Sequence, residues 1–409
     1  MAIVGSSDRR GRGRFAVSIR LPRFGAIVGT VLDENDVGMP EHEVVAYLNM
    51  RPPQIVTRAK TDDRGMFRLY GLDPGSYLVR SVWKQYEEGG YLPTFAKETD
   101  LVDQAYPFEV NFDQQVDRAD VRPMPGRLYT LSVEVITIPP NPIEPLPVTL
   151  TLASEMGRET VQASNHRFGP LPAGQYEIFA QAPLERRAGI QGEYRRITLG
   201  GDFGIKMVLY QVPALQFTFE GAPDANSIQV LARRKDLAGE GPQQALKLTT
   251  NRVQLAAGPW ELAVASNPGF YASAFSGPRY QRPADARADG WNEIFAGAGG
   301  PAVRFALSTS PGAVYGTVKS GSEPVAGAPV FLEPFDLEPS RRVTDPFVTV
   351  TDMHGQYRFT GLAPGVYRAL SSFEFQRPDS AAMTNADAKP VRVQQGHDSQ
   401  QDLELYGNR

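Results

Sequence analysis

Apolar and polar residues alternate with a period of two after each of four short, similar stretches, the mark of a strand that rests one face on a core. Trp260, Leu262 and Val264 alternate with Glu261, Ala263 and Ala265; Tyr176, Ile178 and Ala180 share one side, with Glu177 and Gln181 outside that set. Each stretch opens with Leu-x-x-Gly-x-aromatic: Leu72, Gly75 and Tyr77; Leu171, Gly174 and Tyr176; Leu255, Gly258 and Trp260; Leu362, Gly365 and Tyr367. The spacing between copies fits β-sandwich units of roughly 100 residues. In two copies a turn is legible, as Asp73-Pro74-Gly75-Ser76 and Ala363-Pro364-Gly365-Val366. Proline presets the first central dihedral and glycine takes a positive φ at the next, which predicts a type II turn. No apolar period of 3.6 persists beyond two turns, so little helix is expected.

The first and last copies agree over longer stretches. Gly25-Ala26-Ile27-Val28-Gly29-Thr30-Val31 matches Gly312-Ala313-Val314-Tyr315-Gly316-Thr317-Val318, and Thr61 to Arg68 matches Thr351 to Arg358. In the second pair, Asp62 and Gly65 predict a hairpin turn: the aspartate caps the backbone and the glycine relieves the corner. A closing pair of strands is expected in 108–121, 196–209, 294–307 and 391–405. Prolines mark the joints at Pro123, Pro125, Pro213 and Pro311. The expected organisation is a basic tail at 1–24, then modules at 25–123, 124–212, 213–310 and 311–409. Links of so few residues predict a semi-rigid string.

Composition narrows the function. The 409 residues include 39 glycines and 34 prolines, an excess of turn formers that argues against helical bundles and coiled coils. With 42 basic and 46 acidic residues the net charge is −4, which supplies no general attraction for nucleic acid. Cysteine is absent, which excludes thiol nucleophiles, thiolate metal sites and disulfides. No run approaches the roughly 20 apolar residues of a membrane-crossing helix. Arg9, Arg10, Arg12, Arg14, Arg20 and Arg23 crowd the start with no apolar stretch after them, so this start is not expected to be an intact secretory signal.

With these residues in view, the first and last modules resemble the carboxypeptidase regulatory-like domain, a transthyretin-like sandwich of seven strands. The last supplies Gly316-Thr317-Val318, Pro324-Val325-Ala326-Gly327-Ala328-Pro329-Val330, Thr351 to Tyr357 and Gly361 to Tyr367. The first departs at Met39-Pro40-Glu41-His42-Glu43-Val44, and the middle modules keep only the Leu-x-x-Gly-x-aromatic core. The expected fold class is all-β: four tandem Ig-like or transthyretin-like sandwich modules with short linkers. The arrangement also looks like bacterial multidomain proteins with such a module at each end. The resemblance implies a non-catalytic, exported protein, placed in the periplasm, on the cell surface or in the medium.

Candidate chemistry is sparse. His42, His166, His354 and His397 share no metal-ligand spacing, and His42-Glu43 lacks the second histidine of a zinc-protease helix. No nucleophile elbow or phosphate-binding loop occurs. Asp62-Asp63 and Glu87-Glu88 lack the further acids a calcium shell needs. No enzyme activity, metal or cofactor is therefore expected. Long loops follow the repeated strand in two modules. One, from Lys84 to Pro107, contains Tyr86, Tyr91 and Phe95, with Trp83 at its entrance; the other, from Phe270 to Asn292, contains Tyr271, Tyr280 and Trp291. Such aromatics either fold back as a satellite core or form a platform for sugar rings or a partner protein. The function expected is a non-enzymatic envelope binding or scaffold protein, with carbohydrate or an envelope protein as the partner. The rival is a structural spacer, or an accessory module for an outer-membrane receptor or enzyme.

Overall fold

The computed structural model describes residues 23–49, 53–140, 149–154, 157–161, 167–184, 189–221, 228–237, 239–265, 267–278, 284–285, 291–297, 302–335, 347–375, 378 and 380–407. The basic tail up to residue 22, His166, Tyr280 and Gly299 lie outside them. Strands dominate. The described helix is limited to Ser380–Asn385 and a single 3₁₀ turn at Val102–Gln104. Among the described residues no helix is long and apolar enough to cross a membrane. Two compact units result, one of Met1–Thr130, Gly169–Ala173 and Gly200–Asp202, the other of Leu131–Phe168, Gly174–Leu199 and Phe203–Arg409.

In the first unit, Gly25–Thr30 lies between Met66–Leu72 and Gln115–Val116 in one sheet. The other sheet runs Gln54–Lys60, Glu43–Leu48, Gly75–Ser81, Phe108–Val110. Ile27, Val44, Ala46, Phe67, Leu69, Tyr77, Val79 and Val110 fill the space between them. The Asp62 hairpin forms as expected: its Oδ1 accepts from the backbone N–H of Arg64 (2.9 Å) and Met66 (2.8 Å), and Gly65 takes φ 77°. Asp352 repeats this with His354 and Gln356, both at 2.8 Å, and Gly355 takes φ 73°. Those backbone donors hold the Asp352 carboxyl below its ordinary value. The matching threonines are also functional parts of the turn. Thr61 donates to Met39 O (2.6 Å) and accepts from His42 N (2.8 Å); Thr351 donates to Val325 O (2.7 Å) and accepts from Ala328 N (2.8 Å).

The expected type II turns are corrected. Positive φ falls on Gly71 (76°) and Gly361 (72°), not on Gly75 or Gly365, which open their strands. Gly71 is the extra residue of a bulge, since Gly25 pairs with Leu72 while Ala26 pairs with Tyr70. The repeated aromatic has its own task at this corner. Tyr77 OH donates to Asp73 O (2.8 Å), Tyr367 OH to Ala363 O (2.9 Å) and Trp260 Nε1 to Ala256 O (2.8 Å), each tying the strand back to the carbonyl four residues earlier.

In the second unit, one sheet carries Gly157–Val161, Thr149–Ser154, Gly174–Pro183, Ile190–Leu199, Phe203–Gln211 and Tyr129–Ile138 in that order. A separate apolar cluster gathers Phe217, Val230, Trp260, Leu262, Phe275, Ile294 and Phe305, and another gathers Val314, Val330, Leu332, Tyr357, Tyr367 and Val391. One pairing recurs in every repeat: the opening strand runs parallel to a closing strand. It is seen at Ala26 with Gln115, Leu131 with Phe203, Phe217 with Val303, and Val318 with Leu403. The closing strands fall in the expected regions.

The alternation expected in the middle repeats is overridden. Tyr176 to Ala180 are all buried, Glu177 included, and so are Trp260 to Ala263 with Glu261. Both faces of these strands are covered, so their outward carboxylates need internal partners.

Candidate functional site

Each repeated strand has an outward face as well as a core face, and what covers the outward face determines where the candidate residues sit. In the first repeat Val45, Tyr47 and Leu78 point away from the main core yet are buried. The segment after Ser81 supplies part of the cover: Phe95 is fully buried, Arg80 lies over its ring at 5.1 Å, and Ala96 N bonds Val79 O (2.8 Å). In the third, Leu231 and Ala263 pack with Trp291, which Arg233 overlies at 4.2 Å. In the last, Phe331 and Leu370 pack with Met383 and Ala386 on and beside the short helix. There Arg368 donates to Glu333 (2.6 Å), to Thr384 Oγ1 (2.8 Å) and to Ser380 O (2.8 Å), and stacks over Phe335 at 5.1 Å. An arginine on an aromatic face inside such a cover is attractive by about 1–2 kcal/mol when desolvated.

The loop aromatics expected as a platform are therefore distributed unevenly. Phe95 (0% exposed), Tyr91 (9%) and Trp291 (7%) use their faces within the protein. Tyr91 donates to Glu34 Oε2 at 3.2 Å. Trp83, Tyr86 and Tyr271 are half-buried, and Tyr280 lies outside the described residues. Tyr86 and Tyr91 are brought together edge to face, their centroids 5.7 Å apart. Tyr271 and Trp291 are not grouped in this way: Tyr271 sits in the strand paired with Val303–Ser308, Trp291 on the outward side of the other sheet.

Beneath Tyr86 lies His42, fully buried and stacked on the tyrosine ring at 5.9 Å. Its Nε2 is 2.8 Å from Val82 O and its Nδ1 is 3.1 Å from Tyr86 OH. A carbonyl only accepts, so the proton resides on Nε2; the Tyr86 hydroxyl, 3.1 Å from Nδ1, donates to Pro40 O at 3.0 Å. Burial pulls this imidazole down to about 4, and burial lifts the Tyr86 phenol to about 12. A neutral histidine held in this way fastens the loop to the strand below.

The second repeat has no insertion after its repeated strand: Gly174–Pro183 returns through a hairpin as Ile190–Leu199. Its outward Glu177 and Phe179 are covered instead by the third repeat. Leu237 N donates to Glu177 Oε2 (2.7 Å), while Tyr194 OH (2.6 Å) and Arg196 (2.7 Å) donate to Oε1. Arg234 lies over Phe179 at 4.1 Å and over Trp260 at 5.0 Å, and Tyr194 meets Phe295 edge to face at 5.5 Å. Burial lowers Arg234 to about 10. Beside this contact is a cavity of about 200 Å³ lined by Glu177, Arg196, Lys235, Asp236, Trp260 and Glu293. Lys235 bridges Glu293 (2.5 Å) and Glu261 (3.3 Å), and Arg158 pairs with Asp236 (2.7 Å). Sequence reasoning missed this constellation. The available signal was an acid between apolar residues in a strand with no long loop behind it.

Among the described residues, no group of three or more histidines and acids could hold a metal ion. Arg358 pairs with Asp398 (2.7 Å) and Arg68 donates to Gln115 (2.5 Å), so each of the two matched arginines reaches across the opening strand to the strand beyond it.

No known family and no curated protein matches the chain. Overlays on solved structures include the Bacillus anthracis TIE protein, at 10% identity and a TM-score of 0.19, covering 90% of this chain and 69% of that one. BcpA, the major pilin subunit of Bacillus cereus, overlays at 11% identity and TM-score 0.17, covering 93% and 99%. GBS52, a minor pilin of Streptococcus agalactiae, does so at 15% and 0.22, covering 46% and 97%. At such TM-scores these overlays carry neither a fold assignment nor a function.

Proposed function

We propose that the chain is a non-enzymatic scaffold of four tandem sandwich modules, with the boundaries set by the repeats, serving as a spacer at a bacterial envelope or surface. The envelope placement comes from the resemblance to carboxypeptidase regulatory-like domains in the outer modules. The observation that carries the spacer reading is the parallel pairing of opening and closing strands. Two parallel neighbours put a module's entrance at one end and its exit at the other, so each module is entered and left at opposite ends. Within the second unit the joints are short: only Val212, Pro213 and Ala214 separate one strand from the next, and only Thr309, Ser310 and Pro311 separate another pair. Contacts across them stiffen the joints. Gln254 Oε1 accepts from Ile190 N (3.0 Å), and Gly396 N donates to Ser310 O (3.0 Å).

Because the chain has no cysteine, paired labels can be placed uniquely. Spin labels at Thr198→Cys and Thr218→Cys, both exposed strand positions on either side of the Pro213 joint, should give one narrow distance distribution in the full chain. A broad or multi-peaked distribution would sink the spacer reading.

A further inference from the structure

We infer that the outward face of the sheet built on Gly25–Thr30 is a binding platform for a neutral hexopyranose polymer, centred on Tyr70. This goes beyond the spacer reading and places carbohydrate contact on a strand, not on the long loops. Tyr70 is 68% exposed, while every described aromatic of the candidate loop 84–107 except Tyr106 is at least half-buried. Its position is fixed by register: Ala26 pairs with Tyr70 on one side and with Gln115 on the other, and Val28 pairs with Arg68, so these side chains share one face. Contacts confirm the sharing. Arg68 Nη1 donates to Gln115 Oε1 (2.5 Å), and Gln115 Nε2 donates to Asp117 Oδ1 (2.8 Å).

The chemistry fits a sugar. An open phenol ring offers a flat apolar surface for the C–H face of a pyranose. Beside it stand a guanidinium, an amide and a carboxylate already oriented by one another, with further donors and acceptors for hydroxyls. Arg68 and Asp117 cancel in charge, which favours a neutral ligand over an anionic one. A protein hot spot is normally ringed by contacts that exclude water; Tyr70 has exposed polar neighbours instead. Sites carried on strands hold their geometry better than sites on loops.

The last repeat provides an internal contrast. Tyr315 shares a face with Arg358, but there the guanidinium lies over the ring at 5.9 Å, pairs with Asp398, and leaves the tyrosine 36% exposed. That ring is already occupied.

The test is titration of the full chain, followed by chemical shifts or calorimetry, with six-unit oligosaccharides of β-1,4-glucose, β-1,3-glucose, α-1,4-glucose and α-mannose. At least one should bind, Tyr70→Ala should weaken that binding about tenfold or more, and Tyr315→Ala should leave it unchanged. Tyr70→Phe should retain most of it, since the ring face makes the contact. No binding by the wild type to any of the four, or binding indifferent to Tyr70→Ala, overturns the proposal. So does capture of a protein partner lost on Tyr70→Ala when no sugar binds. Spin-label distances are a separate readout, so failure here leaves the spacer reading standing.

Discussion

The second and last repeats solve the same problem in opposite ways. Both carry a buried glutamate on the outward face of their repeated sheet, Glu177 and Glu333. Glu333 is satisfied by its own repeat, through Arg368 and Ser380 from the segment that follows the repeated strand. Glu177 is satisfied partly from outside, by the Leu237 backbone of the next repeat. The difference teaches where rigidity comes from in a tandem chain. A repeat with its own cover can stand beside its neighbour, whereas one without a cover must borrow it and becomes stiffly joined.

The sharpest way to break this comparison is to remove each carboxylate. Glu333→Ala strands Arg368, itself buried, and should cost about 4 kcal/mol. Hydrogen exchange should accelerate in Pro329–Pro334 and Gly365–Ser372 and nowhere in the second repeat. Glu177→Ala should cost less, about 3 kcal/mol, because its partner Arg196 is largely exposed and can rehydrate. Its exchange signature should instead spread to both Gly174–Pro183 and Val230–Asp236, and the spin-label distribution across Pro213 should broaden. If either effect stayed within one repeat for Glu177, the borrowed cover would be an incorrect description.

The self-made cover of the first repeat can be loosened by acid. His42 titrates near 4 when folded against an ordinary 6.5, so the unfolded chain binds more protons between those values. Stability is complete above about pH 6.5 and declines as pH falls towards 4, by no more than about 3 kcal/mol over the window. Desolvation is the main cause; Lys84 also lowers the value, while Glu43 and the Val82 carbonyl oppose it. Denaturation of the full chain at pH 7 and pH 4.5, compared with His42→Gln, should show a smaller acid loss in the variant. An identical loss in both would mean that the histidine is not the fastening.

How much of this was legible beforehand depended on distance along the chain. The Asp62 and Asp352 hairpins were readable because the aspartate caps donors two and four residues away. The opening strands of the first and last repeats were readable from their matched Gly-Ala-x-x-Gly-Thr-Val stretches, and the closing strands from their spacing after the repeated turn; the opening strands of the middle repeats, Tyr129–Ile138 and Leu215–Glu220, share no such signature. The positive φ was misplaced because Pro74-Gly75 dominates any local reading, whereas the bulge at Gly71 is imposed by pairing with Gly25 and Ala26 across the sheet. Glu177 looked solvent-facing by alternation, and its partner Leu237 lies 60 residues away. The aromatics of the loops were visible as residues, but their burial depends on an outward face that no local pattern announces.

The smallest effect tests whether contact between repeats can be read at a single atom. Gly71 and Gly361 occupy matching bulges with nearly the same φ, 76° and 72°. Their surroundings differ. A Cβ at Gly71 would meet nothing within 4 Å, whereas one at Gly361 would lie 2.4 Å from the Asn267 carbonyl, in the third repeat. Gly71→Ala should therefore cost only the left-handed backbone penalty, about 1–2 kcal/mol. Gly361→Ala bears the same penalty plus displacement of a neighbouring backbone, so it should cost about 1 kcal/mol more. Urea midpoints of the two variants decide it. Equal shifts would show that the third and last repeats yield freely at Asn267, and that stiffness in this chain belongs to the Glu177 junction.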